Sequence, residues 1–106
     1  MIINKHRGEV AAKFDGKDHR LCLTLGALAE LEAKFDAQDV VALTERFSTG
    51  RMSSTDMLKI IAAGLRGAGH DVDDAEVANM QIDGGATGYA RTVADLLTAT
   101  FGDPQG

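Results

Sequence analysis

A single cysteine, Cys22, leaves this chain without an intramolecular disulfide, so a reducing, cytosolic compartment is the simpler expectation. The opening MIINKHRGEV lacks the apolar core of a secretory signal. No uninterrupted apolar run approaches the roughly 20 residues that a membrane-crossing helix needs. Basic residues are scattered as well. The net charge is −5 and the only tight basic cluster is Lys5-His6-Arg7, which disfavours nucleic-acid binding, because phosphate attraction needs a concentrated positive surface. β-branched runs are too few for a large sheet sandwich.

Catalytic patterns are equally scarce. Gly64-Leu-Arg-Gly67-Ala-Gly69 superficially resembles a phosphate loop, but it closes a predicted helix instead of joining a strand to a helix start. Helix ending and close packing fit it better, with Gly64 letting a neighbour approach. His70-Asp71-Val-Asp73-Asp74-Ala-Glu76 alternates oxygen donors like part of a calcium loop. The glycine and the terminal Glu are misplaced for that motif, so capping and solvated charge are the better reading. His6, His19 and His70 lack zinc-ligand spacing. Ser48, Ser53 and Ser54 lie where helices break or begin, outside any strand–Gly-x-Ser-x-Gly–helix setting. No catalytic residue, cofactor or metal is expected, and the chain reads as a non-enzyme.

What is present is a small α+β domain. At 106 residues, 44% hydrophobic and 25% charged, the chain is long and apolar enough for one ordered core, without room for a deep substrate cavity. Residues 21–35 organise the expected architecture by switching from strand alternation to helix periodicity. Leu21, Leu23 and Leu25 alternate with Cys22 and Thr24, after which Leu25, Leu28, Leu31 and Phe35 recur at helical spacing. Before them, residues 9–14 form a strand with Val10, Ala12 and Phe14 on one face, turning at Asp15-Gly16. A return strand at 19–24 sets Val10 opposite Leu23 and Ala12 opposite Leu21; a one-residue slip would destroy the apolar face. Residues 1–8 form a loose lead-in whose Ile2 and Ile3 are candidates for covering a sheet edge.

Helices supply the cover for that face. The first spans about 25–35, followed by an Asp36/Asp39 capping box and a helix with Val40, Leu43, Thr44 and Phe47 on one face, stopped at Ser48-Thr49-Gly50. Ser53 with Asp56 caps a third, striped by Leu58, Ile61, Ala62 and Leu65 and widened by Met57 and Ile60. Asp73 and Glu76 start a short fourth bearing Val77 and Met80, and Ile82 anchors the connection before Gly84-Gly85. The last runs from about 86 to 101 on Tyr89, Val93, Leu96, Leu97 and Phe101, with an Arg91–Asp95 pair at i,i+4. The prediction is an N-terminal antiparallel hairpin packed against four or five short helices, one domain over 1–106, with a frayed tail after Gly102.

The number of apolar faces exceeds what one obvious core requires. Met52, Met57, Met80 and Ile82 suit either core filling or an adaptable partner surface. Glu30, Glu32, Asp39 and Glu45 solubilise helix surfaces or orient a basic partner. The outer hairpin edge offers strand addition, unless Ile2-Ile3 or the last helix covers it.

Asn4 with Arg7-Gly8-Glu9, the run Leu21-Cys-Leu-Thr-Leu-Gly-Ala-Leu-Ala-Glu-Leu-Glu32, the run Gly64-Leu-Arg-Gly-Ala-Gly-His70, and Tyr89 with Ala94-Asp-Leu-Leu97, Ala99 and Phe101-Gly102 occur in consistent order along almost the whole chain. Together they resemble the phage tail-assembly chaperones, in particular the small tail-assembly protein of gene transfer agents. The resemblance implies a nonenzymatic factor in the cytoplasm of a bacterial host, transiently associated with assembling tails. It would bind the tape-measure protein, and also tail-tube protein, through apolar burial guided by an acidic rim. Leu28, Phe35, Phe47, Met57 and Met80 are the candidate partner anchors or core supports. The alternatives are a minor structural tail protein or a homo-oligomeric adaptor retained in the particle.

Overall fold

A computed structural model describes residues 2–102. After a 3-10 turn at Lys5–Arg7, strands β1 (Glu9–Phe14) and β2 (Lys17–Cys22) form an antiparallel hairpin. Helices α1 (Leu25–Lys34), α2 (Val40–Ser48), α3 (Ser54–Gly67), α4 (Asp74–Ala78) and α5 (Gly85–Phe101) follow. The fold is α+β, a two-stranded hairpin with five helices. The expected fraying of 103–106 lies outside the described residues.

The hairpin has the expected faces in a different register. Val10 pairs with Leu21, Ala12 with His19 and Phe14 with Lys17, two residues away from the expected pairing of Val10 with Leu23. The turn decides this. Asp15 and Gly16 both take positive φ, 52° and 79°, making a two-residue connection whose twist matches the strands. A tight turn forces Phe14 opposite Lys17, so β2 starts at Lys17 and ends at Cys22. An even slip preserves side-chain parity, which keeps Val10, Phe14 and Leu21 on the buried face. Leu23 is buried too, beyond the ladder.

Segment 81–83 protects the β1 edge near the turn. Asp83 N–H donates to Lys13 O at 3.1 Å, and Asp15 N–H donates to Gln81 O at 2.7 Å. Ile82 bridges Phe14 and is buried. Of the expected covers, Ile2 is 86% exposed and Ile3 half-buried, while the last helix, α5, packs against β1.

Helix α3, instead of α1, is the central element, packing against β2, α1, α4 and α5. Its run from Ile60 to Leu65 is buried on every side. Ala62, Ala63 and Gly64 permit this, because small side chains let neighbours approach around the whole helix.

The α1–α2 junction differs from expectation. Asp39 caps α2, its side chain accepting from Ala42 N–H at 2.9 Å. Asp36 instead closes α1 in a left-handed conformation, φ 53°, with its N–H and that of Ala37 returning to Ala33 O and Glu32 O. Leu25, expected on the α1 stripe, is 81% exposed in the first turn. Val40 and Thr44 are likewise exposed, leaving Leu43 and Phe47 as the buried residues of α2. Arg91 and Asp95 are exposed, and among the described ion pairs none joins them.

Candidate functional site

A cleft of about 440 Å³ opens between the start of α3, the short α4 and the start of α5. Its α3 wall holds Met57, Leu58 and Ile61, beside the exposed Ser54 and Thr55. Val77 and Ala78 come from α4, and Ala86 and Tyr89 from α5. Polar groups are few, so this surface suits apolar side chains better than a reacting substrate.

Local chemistry sets each wall. Ser53 Oγ accepts from Asp56 N–H at 3.0 Å, while Asp56 Oδ2 accepts from Ser53 N–H at 3.1 Å. This capping box starts α3 so that Met57, Leu58 and Ile61 share one face. Burial pushes the Asp56 carboxyl upward, but hydrogen bonds from Ser53 and Arg46 outweigh it and leave the group lowered. The Asp73–Glu76 box starts α4, with bonds of 2.8 and 3.3 Å. Tyr89 donates its hydroxyl to Met80 O at 2.5 Å, tying the α4–α5 connection to the third wall.

A charged cluster fixes α4 to the rest of the fold. Arg66 is bidentate on Glu30, and its Nη1 lies 3.1 Å from Asp74 Oδ1. Lys34 Nζ lies 2.7 Å from Asp74 and 3.4 Å from Glu30. The Arg66 hydrogen bond holds the Glu30 carboxyl below its ordinary range despite burial. At Asp74 burial acts upward, and hydrogen bonds from Lys34 and Arg66 override it. Both carboxylates therefore contribute stability that is present above the unfolded carboxylate range and lost as pH falls through their lowered folded values. Replacing Arg66 with methionine is expected to cost about 1–2 kcal/mol near neutral pH, given the partial exposure of all three groups. Urea melts from neutral to acid pH should show that difference shrinking as the carboxylates protonate.

The segment that carries α4 is acidic in sequence. Residues 71–83 include Asp71, Asp73, Asp74, Glu76 and Asp83, with no lysine or arginine. Lys34 and Arg66 offset Asp74, leaving the α4 side acidic.

A second, more polar hollow lies beside Cys22, Arg7, Glu9 and Arg20. Burial pushes the Cys22 thiol up and Glu9 adds to this, with Arg7 and Arg20 opposing. Little reactive thiolate exists at neutral pH. Iodoacetamide at pH 8 is expected to alkylate Cys22 at least about fivefold more slowly than a free cysteine peptide, as intact-mass time courses would measure. Among the described residues, no three His, Cys, Asp or Glu side chains converge as a metal site.

The candidate anchors separate in space. Phe47 is 8% exposed, with its ring 5.2 Å from Phe35 and 6.4 Å from Phe101. Arg46 and Lys59 lie over the Phe35 ring at 5.5 and 5.4 Å. Leu28 and Met80 are half-buried against the core. Of the five candidates, Met57 lines the cleft. Sequence reasoning missed Thr55, Ala78 and Ala86 in the lining, and no local pattern distinguishes them from ordinary helix positions. It also missed the charged cluster, whose available signal was Glu30 and Lys34 at i,i+4.

No described helix is long and apolar enough to cross a membrane. The class is a phage or gene-transfer-agent tail protein, and a family match carries it. Residues 7–103 match the family described as "Phage tail tube protein, GTA-gp10", and the chain belongs to it. The tail connection agrees with the resemblance, while the family is described as a tube protein and not as a chaperone. Neither the curated proteins nor the solved structures provided a match.

Proposed function

We propose that this chain is a nonenzymatic structural component of a phage-like tail, retained in the particle through protein–protein contacts. The family assignment carries this reading, and the apolar cleft supplies a contact surface compatible with it. Binding draws on apolar burial, while the acidic α4 side selects orientation. The synthesis compartment in this reading is the bacterial cytoplasm, before incorporation into particles.

The second reading is a transient tail-assembly chaperone for tape-measure or tail-tube components. Met57 favours it locally, because a flexible thioether in an open cleft suits an exchangeable partner. Quantitative mass spectrometry of purified particles, paired with coexpression with the tape-measure protein, tests both. Retention at fixed stoichiometry supports the structural role. Depletion from particles together with copurification with tape-measure protein supports the chaperone. Absence from particles without binding to any tail protein removes both.

A further inference from the structure

We infer that the hollow at the end of β2 docks a carboxylate carried by an acidic, partly apolar segment of a partner protein. This deepens the reading of a chain that works through protein–protein contacts, and rests on it. The hollow, of about 440 Å³, is built from three stretches far apart in sequence. Arg7 and Glu9 come from the lead-in and the start of β1, Arg20 and Cys22 from β2, and Leu25 from the start of α1. Gly67 contributes the end of α3.

Arg20 is short of an acceptor. Its Nε is buried and makes no hydrogen bond among the described residues. Glu9 Oε1 stands 4.0 Å away, too far for one, and already accepts from Asn4 N–H at 3.0 Å. A guanidinium N–H left in that state costs free energy, which an incoming carboxylate recovers through a charge-assisted bond. Arg7 lies alongside, since its carbonyl accepts from Cys22 Sγ at 3.5 Å and both arginines act on the Cys22 thiol. Two guanidiniums against the single Glu9 carboxylate leave this hollow positive in a chain of net charge −5.

The surroundings of that charge select the partner. Leu25 also lines the hollow and is 81% exposed. A carboxylate with an apolar neighbour satisfies the arginines and covers the leucine together. Nucleic acid fits less well, because two arginines in a concave site do not form the extended basic surface that a phosphate backbone needs. A small free anion would leave Leu25 uncovered.

Titrating the 15N-labelled chain with a blocked hexapeptide of alternating aspartate and leucine tests the site. Amide shifts are expected at Arg7, Arg20, Cys22 and Leu25, with Val77 and Ala86 of the apolar cleft unmoved. The asparagine–leucine counterpart should bind at least about tenfold more weakly, and about 0.5 M salt should weaken the aspartate peptide at least about threefold. Arg20→Gln should cost at least about tenfold in affinity and Leu25→Ser at least about threefold. The Arg20 side chain is 43% exposed, so the fold should survive, and Arg7→Gln gives a second reading of the same loss. Absent shifts, shifts at the cleft instead, equal binding of the two peptides, or unchanged binding in both arginine variants would overturn the proposal. Inorganic phosphate matching the peptide in shifts and affinity would make this a simple anion site. A single-stranded oligonucleotide binding more tightly than the peptide would make the partner a nucleic acid. Either result removes the acidic-peptide assignment. Particle composition tests the tail reading separately, so failure of this site remains distinguishable from failure of that reading.

Discussion

Replacing Gly67 with alanine is expected to destabilise the fold by about 2–4 kcal/mol, although alanine ordinarily favours a helix. A Cβ at Gly67 would lie well inside 3.0 Å of the Cys22 carbonyl oxygen, with the Ala27 Cβ 3.4 Å away on another side. The obstructing atom is backbone at the end of β2, so rotation of a side chain cannot relieve the clash. Helix α3 must move away from the hairpin. Gly64 shows the same close packing one turn earlier, where a Cβ would lie 2.7 Å from Leu96 Cδ2 and 3.3 Å from Leu21 Cβ. Gly26→Ala is the informative counterpart. Its nearest obstacle is Thr24 Oγ1 at 3.9 Å, so a gain of a few tenths to about 1 kcal/mol is expected. Thermal and urea melts should give opposite signs for the two substitutions. Equal effects would remove the close α3–β2 approach as the explanation for Gly67.

Local patterns made much of this architecture legible, while the register required three-dimensional information. Val10, Phe14 and Leu21 identify the same buried face under an even slip, so alternation alone did not select the pairing. The left-handed conformation of Asp15 selected the shorter turn. Capping illustrates a related ambiguity. Ser53/Asp56 and Asp73/Glu76 form boxes at the expected starts, but Asp36 and Asp39 are both plausible first-turn acids by composition. The structure separates them: Asp36 ends one helix and Asp39 begins the next.

The cleft was less legible because its walls lie far apart in the chain. Met57 stood out as a flexible apolar residue, but nothing local paired it with Ala86 or Val77. The ion cluster has the same difficulty, since Arg66 reaches Glu30 across 36 positions and Lys34 reaches Asp74 across 40. Helix packing, which depends on the final arrangement of α1, α3 and α4, creates both features.

Phe47→Ala should distinguish core support from direct partner contact, with an expected stability loss of about 3–4 kcal/mol. Phe47 is nearly buried and meets Phe35 edge-on, with the Phe101 ring 6.4 Å away. Its removal leaves Leu43 as the other buried side chain of α2 and opens space that two aromatic rings cannot readily fill. Urea unfolding should show the loss, and hydrogen exchange should accelerate first across Val40–Ser48. Met57→Ala is expected to cost less than about 1.5 kcal/mol, because this half-buried thioether already faces an open cleft. Its larger effect should be on association with other tail proteins, read from copurification after coexpression. Native-like stability in Phe47→Ala with lost association would instead place Phe47 at the contact surface. A large stability loss from Met57→Ala with unchanged association would make Met57 a core support.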